Sequence, residues 1–282
     1  MPETPSYCPL CRSADSRIFD RRKFHNIEVV NRLCSHCGVV FQSPRMTAEE
    51  AAEFYEWEYR QLYQGQPDPD EKDLLIQNAR AALLAEFISG VAPKVERHLD
   101  IGCSAGLTLQ HFQKKFSCEG IGIEPGVAYR AYARGQGLTV YASLEELFAA
   151  DQNRYDLVSL SHVLEHLTDP IAYLNLIRET LLTSTGVLLI EAPNLYAHDS
   201  FEVAHMVSYS AHTLTQALLQ GGFSITKLQL HGKPRSMLFP LYITVAARLT
   251  VAKLPSRVVP EKRVWIKRYI GMKRRVILTR IS

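Results

Sequence analysis

Between residues 94 and 247, short apolar runs alternate with amphipathic ones. HLDIG, GIGIEP, LTVYA, YDLVSLS and VLLIEAP are brief, apolar and bounded by turn residues, which predicts strands. LTLQHFQKKF, VAYRAYARGQG, LEELFA, IAYLNLIRETLL and SAHTLTQALLQGG carry apolar residues at helical spacing. A strand that alternates with helices belongs to a parallel sheet, with right-handed crossovers. FSITKLQLHG and PLYITVAARL then read as two strands. The link between them, GKPRSMLF, is too short for a crossover helix, so one strand of this terminal pair runs antiparallel.

Residues 44–93 form a helical connector and lid. MTAEEAAEFYEWEYRQLY sets Ala51, Phe54, Tyr55, Trp57 and Tyr59 around a helix rather than on a clean stripe. Thr47 and Glu50 have capping-box spacing. GQPDPDEKD is a loop. A longer helix covers about 72–89, with Leu74, Leu75, Ala79, Ala82, Leu83 and Phe87 as its packing face and Gly90 and Pro93 as its stop.

Residues 1–43 are a separate module, with CPLC and CSHCG at its two ends and strand-forming sequence from about 24 to 32. It is too small for an ordinary core. Two CxxC pairs in a reducing compartment point to a metal before disulfides. Cys8, Cys11, Cys34 and Cys37 fill a tetrahedral site and leave no position for water, so the ion is structural, zinc first and iron second. Gly38 supplies the positive φ that closes the second turn. His25 and His36 are then spare, and Cys103 and Cys118 fill space.

Hydrophobic residues make up 46 % of the 282 and charged residues 22 %, which suits a packed core and excludes global disorder. No apolar run reaches the roughly 20 residues of a membrane span. No apolar stretch of signal-peptide length opens the chain, so the expected location is cytoplasmic. The net charge of +3 hides an asymmetry: residues 248–282 hold eleven Lys or Arg and one Glu. Basic charge confined to a tail disfavours a nucleic-acid partner. The tail also carries Trp265, Ile266, Tyr269, Ile270, Val276, Ile277 and Leu278. It either docks on the acidic body or a partner subunit, or makes peripheral contact with anionic lipid or a polyanionic acceptor.

The chemistry concentrates after the first strand. In DIGCSAG, Gly102 and Gly106 let the backbone turn closely around a ligand at the start of a helix. Glu124, at the end of the second strand, can accept both hydroxyls of a ribose. Asp100 would repel a diphosphate but suits an ammonium group. The implied cofactor is a nucleoside with an amino-acid tail.

On LDIGCSAG, GIEP, YDLVSLSHVLEHLTDP, the final strand pair after GGF, and CPLC…CSHCG, the chain resembles the class I S-adenosylmethionine-dependent methyltransferases. More narrowly it resembles a zinc-module-bearing branch that includes sugar C-methyltransferases. The resemblance implies a Rossmann-like doubly wound α/β sheet of order 3-2-1-4-5-7-6 with an N-terminal zinc ribbon or knuckle. It implies that Asp100, Gly102, Ser104 and Gly106 cradle the methionine part and Glu124 the ribose. Ser143 and Leu144 would touch adenine, Ser161 and His162 would line the methyl-transfer mouth, and Tyr55 or Tyr59 would reach cofactor or acceptor.

The exit of the fifth strand, EAPNLYAHDSFEVAHMVSYSAHTL, holds His198, His205, His212, Glu202, Tyr196 and Tyr209. Ligands of open α/β sheets bind at such strand ends. Histidine suits a base at neutral pH. The resemblance points to His205, with Glu202 and Tyr209 as its partners. Ala204 replaces the Glu that precedes this histidine in the sugar C-methyltransferases, which favours oxygen over carbon as the target. The expected acceptor is a small metabolite, phosphorylated or nucleotide-linked, such as a sugar nucleotide or glycan precursor. The rival readings are a cofactor-binding scaffold without turnover and an RNA- or ribosome-associated methyltransferase.

Overall fold

His25 (φ 45°) and Asn26 (φ 67°) both adopt left-handed backbone and turn the first hairpin. The computed structural model describes residues 3–5, 7–92, 94–250 and 257–279; Pro93 and the side chain of Leu278 lie outside them. The hairpin joins β1 (Ser16–Phe24) to β2 (Ile27–Cys34), with Phe24 opposite Ile27. The segment expected as strand, 24–32, thus contains the turn, and the strands run beyond it in both directions. β3 (Val40–Gln42) pairs antiparallel with β2.

The capping box at Thr47 forms: its hydroxyl accepts from the Glu50 amide at 3.2 Å, and the Glu50 carboxylate accepts from the Thr47 amide at 3.0 Å. It starts α1 (Ala48–Glu53), which passes through one wide π turn, Phe54–Glu58, into α2 (Tyr59–Gln64). That turn aligns Tyr55, Tyr59 and Tyr63, with successive ring centroids 5.3 and 4.8 Å apart. The tyrosines therefore do form a stripe. α3 (Glu71–Ser89) buries Ala81, Leu84, Ala85, Phe87 and Ile88. Of the packing face expected from the sequence only Phe87 is buried, and Leu75 points to solvent. Apolar residues occur on several sides of this helix, so its neighbours choose the face.

Then follow β4 (Arg97–Ile101), α4 (Leu107–Phe116), β5 (Glu119–Ile123), α5 (Val127–Gly135), β6 (Thr139–Tyr141), α6 (Leu144–Ala150), β7 (Tyr155–Ser161), α7 (Pro170–Leu176) and β8 (Leu182–Pro193). β8 begins five residues earlier than VLLIEAP suggested, directly after a π turn, Ile177–Leu181. β9 (Val207–Ser208), α8 (Ala211–Gln220), β10 (Phe223–His231) and β11 (Tyr242–Leu249) complete the core. The seven-stranded mixed sheet runs β6-β5-β4-β7-β8-β11-β10, the expected 3-2-1-4-5-7-6 order. β11 is antiparallel to both β8 and β10. Helices cover both faces, so Leu99, Ile101, Ile121, Ile123, Val158, Leu160, Leu188 and Ile190 are all buried.

β9 does not join this sheet. It pairs antiparallel with β3 and closes a second, four-stranded sheet of order β1-β2-β3-β9. Nothing in the local sequence signalled this two-residue strand.

The tail folds as α9 (Val264–Thr279) and docks on the body. The Arg268 guanidinium is buried, donates to the carbonyls of Leu195 and His198, and pairs with Asp199 at 3.0 Å. Gly271 lies so close to the Tyr196 carbonyl that no Cβ fits there. The segment before α9 crosses the cysteine module, where the Glu261 amide donates to the Cys37 carbonyl at 3.0 Å. Among the described residues, no helix is long and apolar enough to cross a membrane.

Candidate active site

At the carboxyl edge of the sheet, between β4 and β7 where the strand order reverses, a cleft of about 890 Å³ opens. α1, α2 and the π turn between them cover it. Asp100, Gly102, Ser104, Glu124, Ser143, Leu144, Ser161, His162, Tyr59, Glu202 and His205 all line it.

At one end, the loop after β4 folds tightly. Gly102 (φ +73°) and Cys103 both donate their amides to the Ile123 carbonyl, at 2.8 and 2.9 Å. A Cβ on Gly102 would meet Val163 at 2.5 Å, so only glycine fits. Gly106 (φ +83°) caps α4 against Leu138 and is not among the residues lining the cleft. The Glu124 carboxylate accepts from the Ser104 amide at 2.8 Å and the Gly126 amide at 2.9 Å. A carboxylate has about four acceptor positions, so two remain free. Asp100 is buried, and the Ser159 hydroxyl donates to it at 2.5 Å while accepting from His98 at 2.7 Å. Burial outweighs that hydrogen bond and pushes the Asp100 carboxyl up to about 7. A cation placed beside it would reverse the shift. Arg60, which the sequence did not single out, donates to the Ser104 hydroxyl at 2.8 Å and stacks 3.8 Å from the Tyr129 ring.

At the other end, histidines gather. His205 presents Nδ1 to the Ser200 carbonyl at 2.7 Å. A carbonyl only accepts, so this nitrogen carries the proton and Nε2 is the basic one. Glu202 stands 3.4 Å from the same Nδ1, one turn earlier, and supplies the carboxylate that Ala204 cannot. The His166 ring lies 4.8 Å from the His205 ring. Its Nδ1 meets the Tyr55 hydroxyl at 2.8 Å and the Ala204 carbonyl at 2.9 Å. Burial pulls His166 down to about 4, against the pull of Glu165. Glu165, His166 and His205 also bring one possible ligand atom each within 4.8 Å of one another. Tyr209, expected here, is buried in the core and is not among the residues lining the cleft. Asn194 spends its side chain on the Pro240 carbonyl and the Tyr196 amide.

The wall beneath the mouth is built on Glu191, which sequence reading passed over although it is a lone carboxylate in an apolar strand. Its buried carboxylate faces Arg80 at 2.8 Å, His231 at 3.2 Å and His162 at 3.3 Å, and accepts from the Thr244 hydroxyl at 3.1 Å. His162 (φ 57°) reaches Glu165 with its other ring nitrogen at 3.2 Å, so the two carboxylates hold this strained residue from both sides. Arg80, His162 and His231 overcome burial and keep the Glu191 carboxyl well below the usual range.

The four cysteines of the N-terminal module converge. Sγ of Cys8 lies 3.5 Å from Cys37, and Sγ of Cys11 lies 3.5 Å from Cys34. All four sulfurs lie within 4.8 Å of one another. A tetrahedral ion with bonds of about 2.3 Å spaces its sulfurs by about 3.8 Å, so the donor set fits one thiophilic cation. Gly38 has the expected positive φ, +81°. Neither His25 nor His36 joins the cluster.

The comparisons with known proteins agree with this architecture. A family model described as a methyltransferase domain matches residues 75–228. A ubiquinone biosynthesis O-methyltransferase of Cereibacter sphaeroides is 30 % identical over 135 residues, covering 46 % of this chain and 54 % of that protein. An ajmaline N-methyltransferase of Rauvolfia serpentina is 36 % identical over 97 residues, covering 32 % of this chain and 33 % of that protein. The chain thus spans about half or less of these curated relatives. Among solved structures, the Burkholderia thailandensis 1,6-didemethyltoxoflavin-N1-methyltransferase, bound to 1,6-didemethyltoxoflavin and S-adenosylhomocysteine, aligns with a TM-score of 0.58 at 16 % identity, over 75 % of this chain and 96 % of that one. With a family model that takes in more than half of its residues and the expected seven-stranded sheet beneath it, the chain belongs to the methyltransferase-domain family.

Proposed function

We propose that the protein is an enzyme that methylates a hydroxyl of a small-molecule acceptor, with S-adenosylmethionine as donor. The observation that carries this reading is the cleft itself. Asp100 and Glu124 stand at its one end, on neighbouring strand ends, and the basic nitrogen of His205 stands at the other. When bound, the cofactor supplies an electrophilic methyl group on a sulfonium sulfur. The chain's residues bind, orient and remove a proton. Asp100 faces the cofactor's ammonium. Glu124 keeps two acceptor positions for the ribose hydroxyls after taking two backbone amides. Ser143 and Leu144 lie against the adenine. Tyr55, Tyr59 and Tyr63 close over the reacting groups and exclude water.

His205 takes the acceptor's proton at Nε2. The cation so formed faces Glu202, 3.4 Å from Nδ1. Tyr209 has no part, because its ring is in the core. Arg235 lines the acceptor end, which suits an acceptor that bears phosphate or carboxylate, including a nucleotide-linked one. The relatives named for ubiquinone biosynthesis support oxygen as the target.

We further propose that Cys8, Cys11, Cys34 and Cys37 hold one structural zinc. The supporting observation is the clustering of four thiols in a unit without a large core of its own.

The test is calorimetry with S-adenosylmethionine and S-adenosylhomocysteine, followed by transfer of labelled methyl to phenols, catechols and sugar nucleotides with mass spectrometry of the products. Affinity for neither cofactor form would overturn the reading. Affinity without any product across the panel would favour a scaffold.

A further inference from the structure

We propose that the outer face of α9 docks the protein on an anionic lipid surface. The helix has two faces. Val264, Arg268 and Gly271 turn toward the body. Ile266, Tyr269, Ile270, Val276 and Ile277 turn away from it, each 46–62 % exposed, and Trp265, half-exposed, flanks them with its ring 4.9 Å from that of Phe19. Their spacing places them on one stripe of a 3.6-residue helix. Scattered single apolar residues are ordinary on a surface, but a stripe of large ones along one helix face marks a contact.

Charge selects the partner. Residues 264–279 contain five Lys or Arg and no acid. Lys273 and Arg274 are exposed, the first within the stripe and the second at its edge, while Lys267 pairs with Glu261 at 2.8 Å. A second copy meeting this face would set basic charge against basic charge. A polyanion without an apolar phase would leave the isoleucines in water. An anionic bilayer satisfies both features: its headgroups take the Lys and Arg, and its acyl boundary takes the aliphatic side chains. Tryptophan and tyrosine are suited to that boundary.

The placement also has a consequence. α9 rests on the segment 195–199 through Arg268, and His198 of that segment lines the cleft. A docked membrane therefore lies one loop away from the acceptor end.

The experiment uses the full chain and vesicles of phosphatidylcholine alone or with about 30 % phosphatidylglycerol. Trp57→Phe leaves Trp265 as the single tryptophan. We expect co-sedimentation with the anionic vesicles, a blue shift of Trp265 emission, and release at about 0.5 M salt. Ile266→Glu with Ile270→Glu lowers partitioning by about tenfold or more, with melting temperature and cofactor affinity retained. Lys273→Glu with Arg274→Glu provides a second variant, at exposed side chains, should the first not fold. Equal binding to neutral vesicles, or unchanged binding by a folded variant, overturns the proposal. Concentration-dependent self-association in ultracentrifugation that these substitutions abolish, without vesicle binding, also overturns it and assigns the face to a second copy.

Discussion

The backbone amide of Gln42 donates to the carbonyl of Met206 at 2.8 Å, which ties the last strand of the cysteine module to the residue after His205. The Gln42 side chain reaches the Glu202 carbonyl at 3.3 Å. The module is therefore part of the wall that holds the His205–Glu202 pair, while Asp100 and Glu124 are held by the central sheet.

This division predicts how metal removal will act. Chelation, or Cys37→Ser, should lower kcat/KM for the acceptor by about 100-fold, because losing a structural ion releases β3 and the loop paired with it. Cofactor affinity should change by less than about threefold. Parallel calorimetry and steady-state rates measure both, and an equal loss of cofactor affinity would refute the division.

Asp100 gives cofactor binding a pH dependence. Its carboxyl is raised to about 7, so in the free protein it is neutral below that value and must ionise to meet an ammonium. The dissociation constant for S-adenosylmethionine should rise by about tenfold per pH unit below pH 7 and level off above it. Asp100→Asn should weaken binding and flatten the slope. The same shift means that ionising this buried group costs the unliganded fold stability as pH rises from the unfolded carboxylate value through about 7.

For the proposed base, His205→Ala should lower kcat by about 10²–10⁴-fold with cofactor affinity retained. Glu202→Gln should lower kcat by less than His205→Ala does. A His205→Ala enzyme with an unaltered rate from pH 6 to 9 would remove the histidine from the mechanism.

Glu191 should matter for stability more than its distance from the cofactor end suggests. Glu191→Ala leaves the half-buried Arg80 without its carboxylate and should cost about 1–3 kcal/mol in denaturant unfolding. The carboxyls of Glu191 and Glu165 are held below their usual range, Glu165 down to about 2. Their contribution is present above the unfolded value near 4.5 and is lost as pH falls through the folded one. His166, neutral down to about 4, adds acid destabilisation that starts near pH 6.5, where the unfolded histidine takes a proton. His98 and His198, both pulled down to about 3 by burial, act in the same direction, and the raised Asp100 acts against them, so thermal melts should fall most steeply below about pH 4.5, and Glu191→Ala should lose much of that fall.

By itself the sequence determined the features that are written within a few residues. Strand edges, the glycine turn after β4, the capping box at Thr47 and the carboxylates at strand ends depend on local backbone preference and alternation. The short link between β10 and β11 was enough to require an antiparallel pair. Tertiary structure decided the rest, because each case turns on which distant surfaces meet. β9 exists only because β3 offers it a free edge. α3 has apolar residues on several sides, and packing against the sheet and α4 chose one. The π turn at Phe54–Glu58 set the tyrosines in line over the cleft, and Glu191 became a hub only when Arg80, His162 and His231 arrived from three other elements. A chain spells out its own local geometry, but pairs far apart in sequence are specified by the joint packing of many residues.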